Sequence, residues 1–162
     1  MVAVRLALVA TFVLSGPVSA ELFTLRIGSG HPAGPTVYVT VMRDYVVPEL
    51  KRRVAEETEH ELRVIEGYAG SIASVAETLE AVQIGILDIG GFCVCFEPAK
   101  LFLHNFQYFV PFGPQDAIEG TRLGRQVYDR NPWLAEQLEE RYGQRLLAVN
   151  GFDDYHLGSS IP

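Results

Sequence analysis

Residues 62–90 read LRVIEGYAGSIASVAETLEAVQIGILDIG, and their pattern of apolar residues and glycines predicts the fold class. It opens with four mostly apolar residues, 62–65, which predict a strand that a glycine-containing turn ends. Ser71 is a residue type that caps helices, so we expect a helix to begin there. The apolar residues that follow recur at helical spacing; they are Ile72, Val75, Leu79 and Val82.

Gly85 ends this predicted helix, and residues 86–89 form a second short apolar run of the kind that is buried on both faces of a sheet. A strand, a helix and a second strand in about thirty residues predict two parallel strands joined by a crossover helix.

The neighbouring segments continue the alternation. Before this unit, residues 22–27 predict a first strand, residues 28–35 a sharply bent loop, and the apolar spacing after them a helix that Pro48 kinks or restarts. After it, we expect helices over residues 97–105, 116–128 and 132–142, a strand over residues 145–149, and a loop over residues 150–155. Strands alternating with helices predict an α/β fold with a mainly parallel sheet flanked by helices.

Residues 1–20 have the composition of a secretory signal peptide. Arg5 precedes an apolar run, residues 6–14, and Val18-Ser19-Ala20 supplies the small residues that signal peptidase accepts. The run is about half as long as the ~20 apolar residues of a membrane span. We expect cleavage after Ala20, a periplasmic chain, and no membrane insertion once the leader is removed; a buried N-terminal helix is the alternative.

The charge balance argues against a nucleic-acid partner. The whole chain has a net charge of −7, and removing residues 1–20 takes away only Arg5, which leaves about −8. Phosphate binding needs clustered basic residues. The one short run, Lys51-Arg52-Arg53, is followed by Glu56 and Glu57 and is typical of a solvated helix face.

The size allows one packed core. Of the 162 residues, 48% are hydrophobic, which suffices for a single domain and leaves no room for a second complete one. We therefore expect residues 21–162 to form one lobe.

Cys93 and Cys95 are separated by one residue. In an extended segment their Cα atoms would lie near the outer limit for a disulfide. Zinc would need further ligands, and only His104 is near in sequence. We therefore predict two buried, apolar thiols and no metal or other cofactor.

Two segments invite other functions. The loop Gly28-Ser29-Gly30-His31-Pro32-Ala33-Gly34 is glycine-rich, but its spacing fits neither the dinucleotide fingerprint nor a P-loop. Asp153-Asp154 beside His156 offers carboxylates and an imidazole for acid–base or metal chemistry, although a solvated turn explains the same residues.

Five segments resemble the solute-binding proteins of tripartite ATP-independent periplasmic (TRAP) transporters, in particular those of the dicarboxylate type. The most specific are Glu66-Gly67-Tyr68-Ala69-Gly70-Ser71 and the run over residues 79–90. The others are Gly30-His31-Pro32, residues 48–54, and Phe96-Glu97-Pro98-Ala99-Lys100 leading to Pro111-Phe112. Gly151-Phe152-Asp153-Asp154-Tyr155 resembles the family's entry into the hinge.

The resemblance implies a lobe of the type II periplasmic-binding-protein fold, ending near the hinge and truncated before the second lobe. It implies a protein that closes on a small organic carboxylate, such as a C4-dicarboxylate, and delivers it to a membrane permease without acting as an enzyme. The positions that match the family's ligand-binding positions are His31, Tyr68, Ser71, Phe92, Cys93, Asp154 and Tyr155. The family's second-lobe arginine, which pairs with the substrate carboxylate, has no counterpart here.

Two other classes stay open at this point. A secreted hydrolase or lyase would use His31, Asp154 or His156, and a solute-sensing domain would use the same fold to report a ligand to a signalling partner. Packing or turn formation also explains each predicted site residue.

Overall fold

The computed structural model describes residues 19–110 and 112–151 and has an α/β architecture. Three parallel strands form its sheet in the order β2-β1-β3: β1 is Leu22–Gly28, β2 is Glu61–Gly67 and β3 is Ile89–Gly90. Ile27 of β1 aligns with Glu66 on one side and with Ile89 on the other. Helices flank the sheet, so the predicted α/β fold with a parallel sheet is confirmed.

The connection from β1 to β2 consists of a loop over residues 29–36 and a helical region with an irregular centre. The helical region comprises α1 (Val37–Val41), a π-helical segment (Met42–Val46) and α2 (Val47–Glu57). Pro48 lies in the first turn of α2, where its missing N–H would have no partner within a new helix. The predicted interruption of the helix at Pro48 is confirmed: a π-helical turn directly before α2 interrupts the α-helix.

The next helix begins later than predicted. A 3₁₀ turn (Val75–Glu77) leads into α3 (Thr78–Gln83), and the residue before them is Ser74 rather than Ser71. Ala69 and Gly70 have positive φ values of 57° and 75°, so the chain is still turning at Ser71. The prediction that Ser71 caps this helix is therefore wrong.

The third strand is shorter than predicted and shifted along the chain. Residues 86–89 were expected to form it, but only Ile89–Gly90 pairs as a strand. Leu87 is buried, whereas Ile86 is 45% exposed, so the segment is not covered on both faces. The Asp88 carboxylate accepts the Arg26 N–H at 2.7 Å, and the Asp88 N–H donates to the Arg26 carbonyl, which links this segment to β1 without a regular ladder.

The helix predicted over residues 97–105 is replaced by two 3₁₀ segments, Val94–Phe96 and Phe102–Phe109. Pro98 follows Glu97, and Asn105 departs from helical geometry, so a continuous α-helix does not form. The two later helices are confirmed as α4 (Ala117–Arg130), capped by the Asp116 side chain, and α5 (Pro132–Tyr142).

The two cysteines form a disulfide, so the prediction of free thiols is wrong. The backbone at Cys93 leads directly into the 3₁₀ segment Val94–Phe96 and is not extended through both cysteines. This turn brings the two Cα atoms to 5.2 Å, inside the usual range for a disulfide.

The strand predicted over residues 145–149 is also wrong, because these residues pair with no strand in the described part of the chain. Side-chain contacts hold the segment instead. The Gln144 side chain donates to the Leu79 carbonyl at 2.7 Å, and Leu146 packs against a buried cluster of Leu79, Leu101 and Leu138.

Two clusters of buried apolar residues lie on α3 and around it. Leu79 of α3, Leu101 and Leu138 of α5 form one buried cluster, and Ala73, Ala81 and Leu87 form another. Within residues 19–110 and 112–151, no helix has both the length and the apolar composition to cross a membrane. The predicted leader lies outside the described residues apart from Ser19 and Ala20.

Candidate functional site

The loops that follow the three strands lie at one edge of the sheet. Because the strands are parallel, their carboxyl ends meet there, and in open α/β sheets this edge is where ligands bind. Backbone hydrogen bonds join the loops: Ser29 N–H donates to Gly67, Gly91 N–H to Gly28, and Ala69 N–H to His31, at 2.9–3.0 Å. The edge is therefore one connected surface.

Five of the predicted ligand-binding residues lie on these loops. His31 follows β1, Tyr68 and Ser71 follow β2, and Phe92 and Cys93 follow β3. The fold brings together the three segments from which they come, which are up to 62 residues apart in sequence.

Two aromatic side chains, Tyr38 and Phe96, contact the His31 ring. Its Nδ1 lies 2.6 Å from the Tyr38 hydroxyl, and its ring meets the Phe96 ring edge-on at 5.2 Å between centroids. The His31 backbone N–H also donates to the Ser29 hydroxyl at 3.2 Å. When the imidazole is neutral, a hydrogen bond from Tyr38 to Nδ1 places the proton on Nε2, which is then the group that can donate to an anion.

Tyr38 is a site residue that sequence reasoning missed. Besides His31, its hydroxyl interacts with the Ser29 side chain and the Cys93 backbone. Burial raises the pKa of the Tyr38 hydroxyl, while these two hydrogen bonds act in the opposite direction. The apolar spacing of this segment predicts only a helix; the signal that could have found Tyr38 is its position at the start of α1, close to the loop that follows β1.

Tyr68 lies in a charged environment on the β2 side. Its hydroxyl donates to the Glu66 carboxylate at 3.0 Å. Burial raises the pKa of the Tyr68 hydroxyl, and the charges of Glu66 and Asp44 add to this effect, whereas Arg43 opposes it. Arg43 forms two hydrogen bonds with Asp44, at 2.6 and 2.9 Å, and both residues belong to the π-helical segment.

Ser71 and Phe92 have different surroundings. Ser71 is exposed, and its backbone N–H donates to Tyr68 at 3.2 Å, so its hydroxyl lies on the rim of the loop. Phe92 packs against the cluster of Leu79, Leu101 and Leu138, so its ring contributes to the core.

The remaining predicted positions, Asp154 and Tyr155, lie outside the described residues, as does His156. The last described residue, Gly151, donates its N–H to the Thr121 hydroxyl at 2.7 Å and therefore lies beside α4.

Two surface clefts lie away from the predicted residues. One of about 290 Å³ is lined by α3 residues and Ile72, and one of about 480 Å³ lies between Val37, α4 and Asn150. None of the five described candidates lines either cleft, so the candidate site is a different surface.

Cys93, Cys95 and His104 do not form a metal site. His104 is buried, and its Nδ1 lies 2.8 Å from the Tyr128 hydroxyl, while the cysteines bond to each other. Across residues 19–110 and 112–151, no three His, Cys, Asp or Glu side chains come close enough together to hold a metal ion.

Comparison of the chain with protein-family models, with curated proteins and with solved structures found no match. The resemblance in sequence motifs therefore stays a prediction, and the site is described from its geometry.

Proposed function

We propose that this chain is the periplasmic solute-binding component of a TRAP-type transporter, which captures a small organic carboxylate and delivers it to a membrane permease. One observation carries the proposal. Three loops that bear the motif residues leave parallel strands at the same sheet edge and are joined by backbone hydrogen bonds. This is the position at which open α/β sheets bind small molecules.

The chemistry at this edge suits an anion with several oxygens. His31 offers an imidazole N–H at Nε2 when Tyr38 donates to Nδ1. The exposed Ser71 adds a hydroxyl donor. Arg43 supplies a guanidinium close enough to Tyr68 to influence the pKa of the Tyr68 hydroxyl. This guanidinium is hydrogen-bonded to the Asp44 carboxylate. A carboxylate that bound here would compete with Asp44 for this group.

The proposal is tested by thermal unfolding of the full chain with C4-dicarboxylates, keto acids and sugar acids. A ligand that binds only the folded chain at about 100 times its dissociation constant adds ~2.7 kcal/mol to the free energy of unfolding. We expect one class of acid to raise Tm, and we expect His31→Ala to abolish the increase.

His60→Ala is the matched control, because His60 lies near the opposite end of the sheet, beside Glu21 and Phe23. It should keep the ligand-dependent increase. If none of these acids raises Tm, or if both variants respond equally, binding at this edge is rejected. Consumption of an acid during the measurement would instead identify an enzyme.

Export and delivery are tested separately. Sequencing the N-terminus of the chain recovered from a periplasmic extract should give Glu21 as the first residue. Uptake of the bound acid by cells should require this chain; binding without any effect on uptake would favour a sensor over a transport component.

A further inference from the structure

The Cys93–Cys95 disulfide closes a three-residue ring directly after β3. Both cysteines are half-buried, and the 3₁₀ segment Val94–Phe96 begins inside the ring. The disulfide therefore fixes the backbone where the third loop of the candidate site leaves the sheet.

The two ends of this closed turn contact two side chains that are hydrogen-bonded to each other, one at each end. At one end, the Cys93 backbone forms a hydrogen bond with the Tyr38 hydroxyl. At the other end, Phe96 follows Cys95 and places its ring 5.2 Å from the His31 ring. Tyr38 and His31 are themselves joined at 2.6 Å, so the turn and the pair form a closed set of contacts.

Other contacts also hold this part of the chain: Glu97, the residue after Phe96, is buried, and its N–H donates to the Val94 carbonyl at 3.1 Å. The Val94 carbonyl accepts from the Asn105 side chain at 3.0 Å, and Val94 packs against the Leu79 cluster, so the middle of the turn is anchored. Phe96 is 46% exposed, and its backbone N–H donates to Cys93 at 3.1 Å within the same turn. The edge-on contact of the Phe96 ring with His31 thus depends on the turn keeping its shape.

We propose that the Cys93–Cys95 disulfide is a positioning group, which holds the His31–Tyr38 pair in its hydrogen-bonded arrangement and makes that arrangement sensitive to reduction. A dithiol reductant would reduce the disulfide in a two-electron exchange: its thiolate attacks one sulfur, the mixed disulfide is resolved by its second thiol, and Cys93 and Cys95 become thiols while the reductant becomes a disulfide. The inference rests on the proposed function only in taking His31 as a binding group.

The test uses NMR of the histidine rings in the full chain labelled with ¹⁵N-histidine, without any ligand. We expect a dithiol reductant to shift the His31 ring resonances, because the ring loses its fixed partner at Nδ1 and its edge-on contact with Phe96. The His60 resonances should not move, since His60 contacts Glu21 and Phe23 far from the turn. His31→Gln assigns the signal.

Cys93→Ser combined with Cys95→Ser provides the matched control. Its His31 resonances should resemble those of the reduced chain and should not respond to reductant. The proposal is overturned if the His31 resonances are the same before and after reduction. It is also overturned if His60 moves together with His31, because the disulfide would then support the whole fold, or if a thiol-alkylating reagent labels the cysteines before reduction.

These outcomes are independent of ligand binding. A chain whose His31 responds to reduction but whose Tm responds to no acid would retain the positioning role and lose the transport function. The reverse pattern would retain binding and reject the disulfide's role.

Discussion

The Tyr38 hydroxyl joins two loops of the candidate site, the first and the third, to α1. It contacts the side chains of Ser29 and His31 in the first loop and the backbone of Cys93 in the third. Ser29 is only 2% exposed. Polar groups in such surroundings depend on one another, because removing one member leaves the others without a partner and without water.

Tyr38→Phe should therefore destabilise the chain although it removes a single oxygen. Groups left unpaired in a partly buried site cost about 1–3 kcal/mol, and we expect a loss of this size in the free energy of unfolding measured with urea. Tyr45→Phe is the control, since Tyr45 is 65% exposed and a surface substitution changes stability by about 0.5 kcal/mol or less. Equal effects of the two variants would contradict the role given to Tyr38.

His104 is the buried histidine on the other side of the core. It is 4% exposed and hydrogen-bonded to the Tyr128 hydroxyl. Burial raises the pKa of Tyr128 to about 12. Burial lowers the pKa of His104, and Arg141 adds to the effect. The folded chain therefore takes up a proton at His104 less readily than the unfolded chain does.

This difference predicts a loss of stability on acidification. Below about pH 6.5, the ordinary histidine pKa, the unfolded chain binds the proton first, so stability falls with pH until the lower pKa of the folded state is reached. Urea unfolding at about pH 7.5 and about pH 5.5 measures the fall. His104→Gln should make it smaller; an unchanged difference between the two pH values would show that His104 does not contribute.

At the scale of elements, the start of α3 shows how a local cap is chosen. Ser74 lies before the 3₁₀ turn, and its N–H and hydroxyl both donate to the Glu77 carboxylate, at 3.2 and 2.6 Å. These contacts lower the pKa of Glu77. Ser71, three residues earlier, lies in the turn that Ala69 and Gly70 continue through their positive φ values.

Ser74→Ala should destabilise the chain by about 1 kcal/mol, the usual effect of removing a helix N-cap. Ser71→Ala is the matched substitution and should change the free energy of unfolding by about 0.5 kcal/mol or less, because its side chain caps no helix. Chemical unfolding of the two variants compares them directly. A larger loss for Ser71→Ala would mean that the helix begins where the sequence alone suggested.

At the scale of the whole molecule, an ion pair helps to join β1 to the segment before β3. Arg26 donates to Asp88 through Nε at 3.0 Å and through its terminal nitrogen at 2.9 Å, across 62 residues of sequence. Hydrogen bonds from the Arg26 side chain, and then from its backbone, lower the pKa of Asp88. The pair therefore stabilises the fold while Asp88 is ionised.

Asp88→Asn should lower the free energy of unfolding by about 1–2 kcal/mol at neutral pH, an intermediate value because the pair is partly exposed to solvent. Since the folded-state pKa is lowered, this contribution is complete above the unfolded value of about 4 and disappears as pH falls through the folded value. The difference between wild type and variant, followed by urea unfolding, should shrink in acid.

Asp129→Asn is the control for this pair. Asp129 lies 3.8 Å from Arg125, and both side chains are largely exposed, so this ion pair should contribute little. Similar losses for Asp88→Asn and Asp129→Asn would contradict a special role for the contact between β1 and the segment before β3.

The elements that the sequence predicted well are those whose signals are local. Residues 22–27 and 62–65 lie within β1 and β2, Asp116 caps α4, and Pro132 begins α5. A cap, a proline at a first turn and an apolar repeat act within a few residues, so composition and spacing reveal them.

Local sequence patterns predict the alternation of strands and helices, and with it a parallel sheet whose loops meet at one edge, because strand polarity follows from the crossover connections. The short segments could be described only from the folded chain: Cys93 and Cys95 come within bonding distance, residues 145–149 pack through side chains, and Tyr38 faces His31. In short segments, contacts with residues distant in sequence outweigh local preference, and those contacts exist only once the chain has folded.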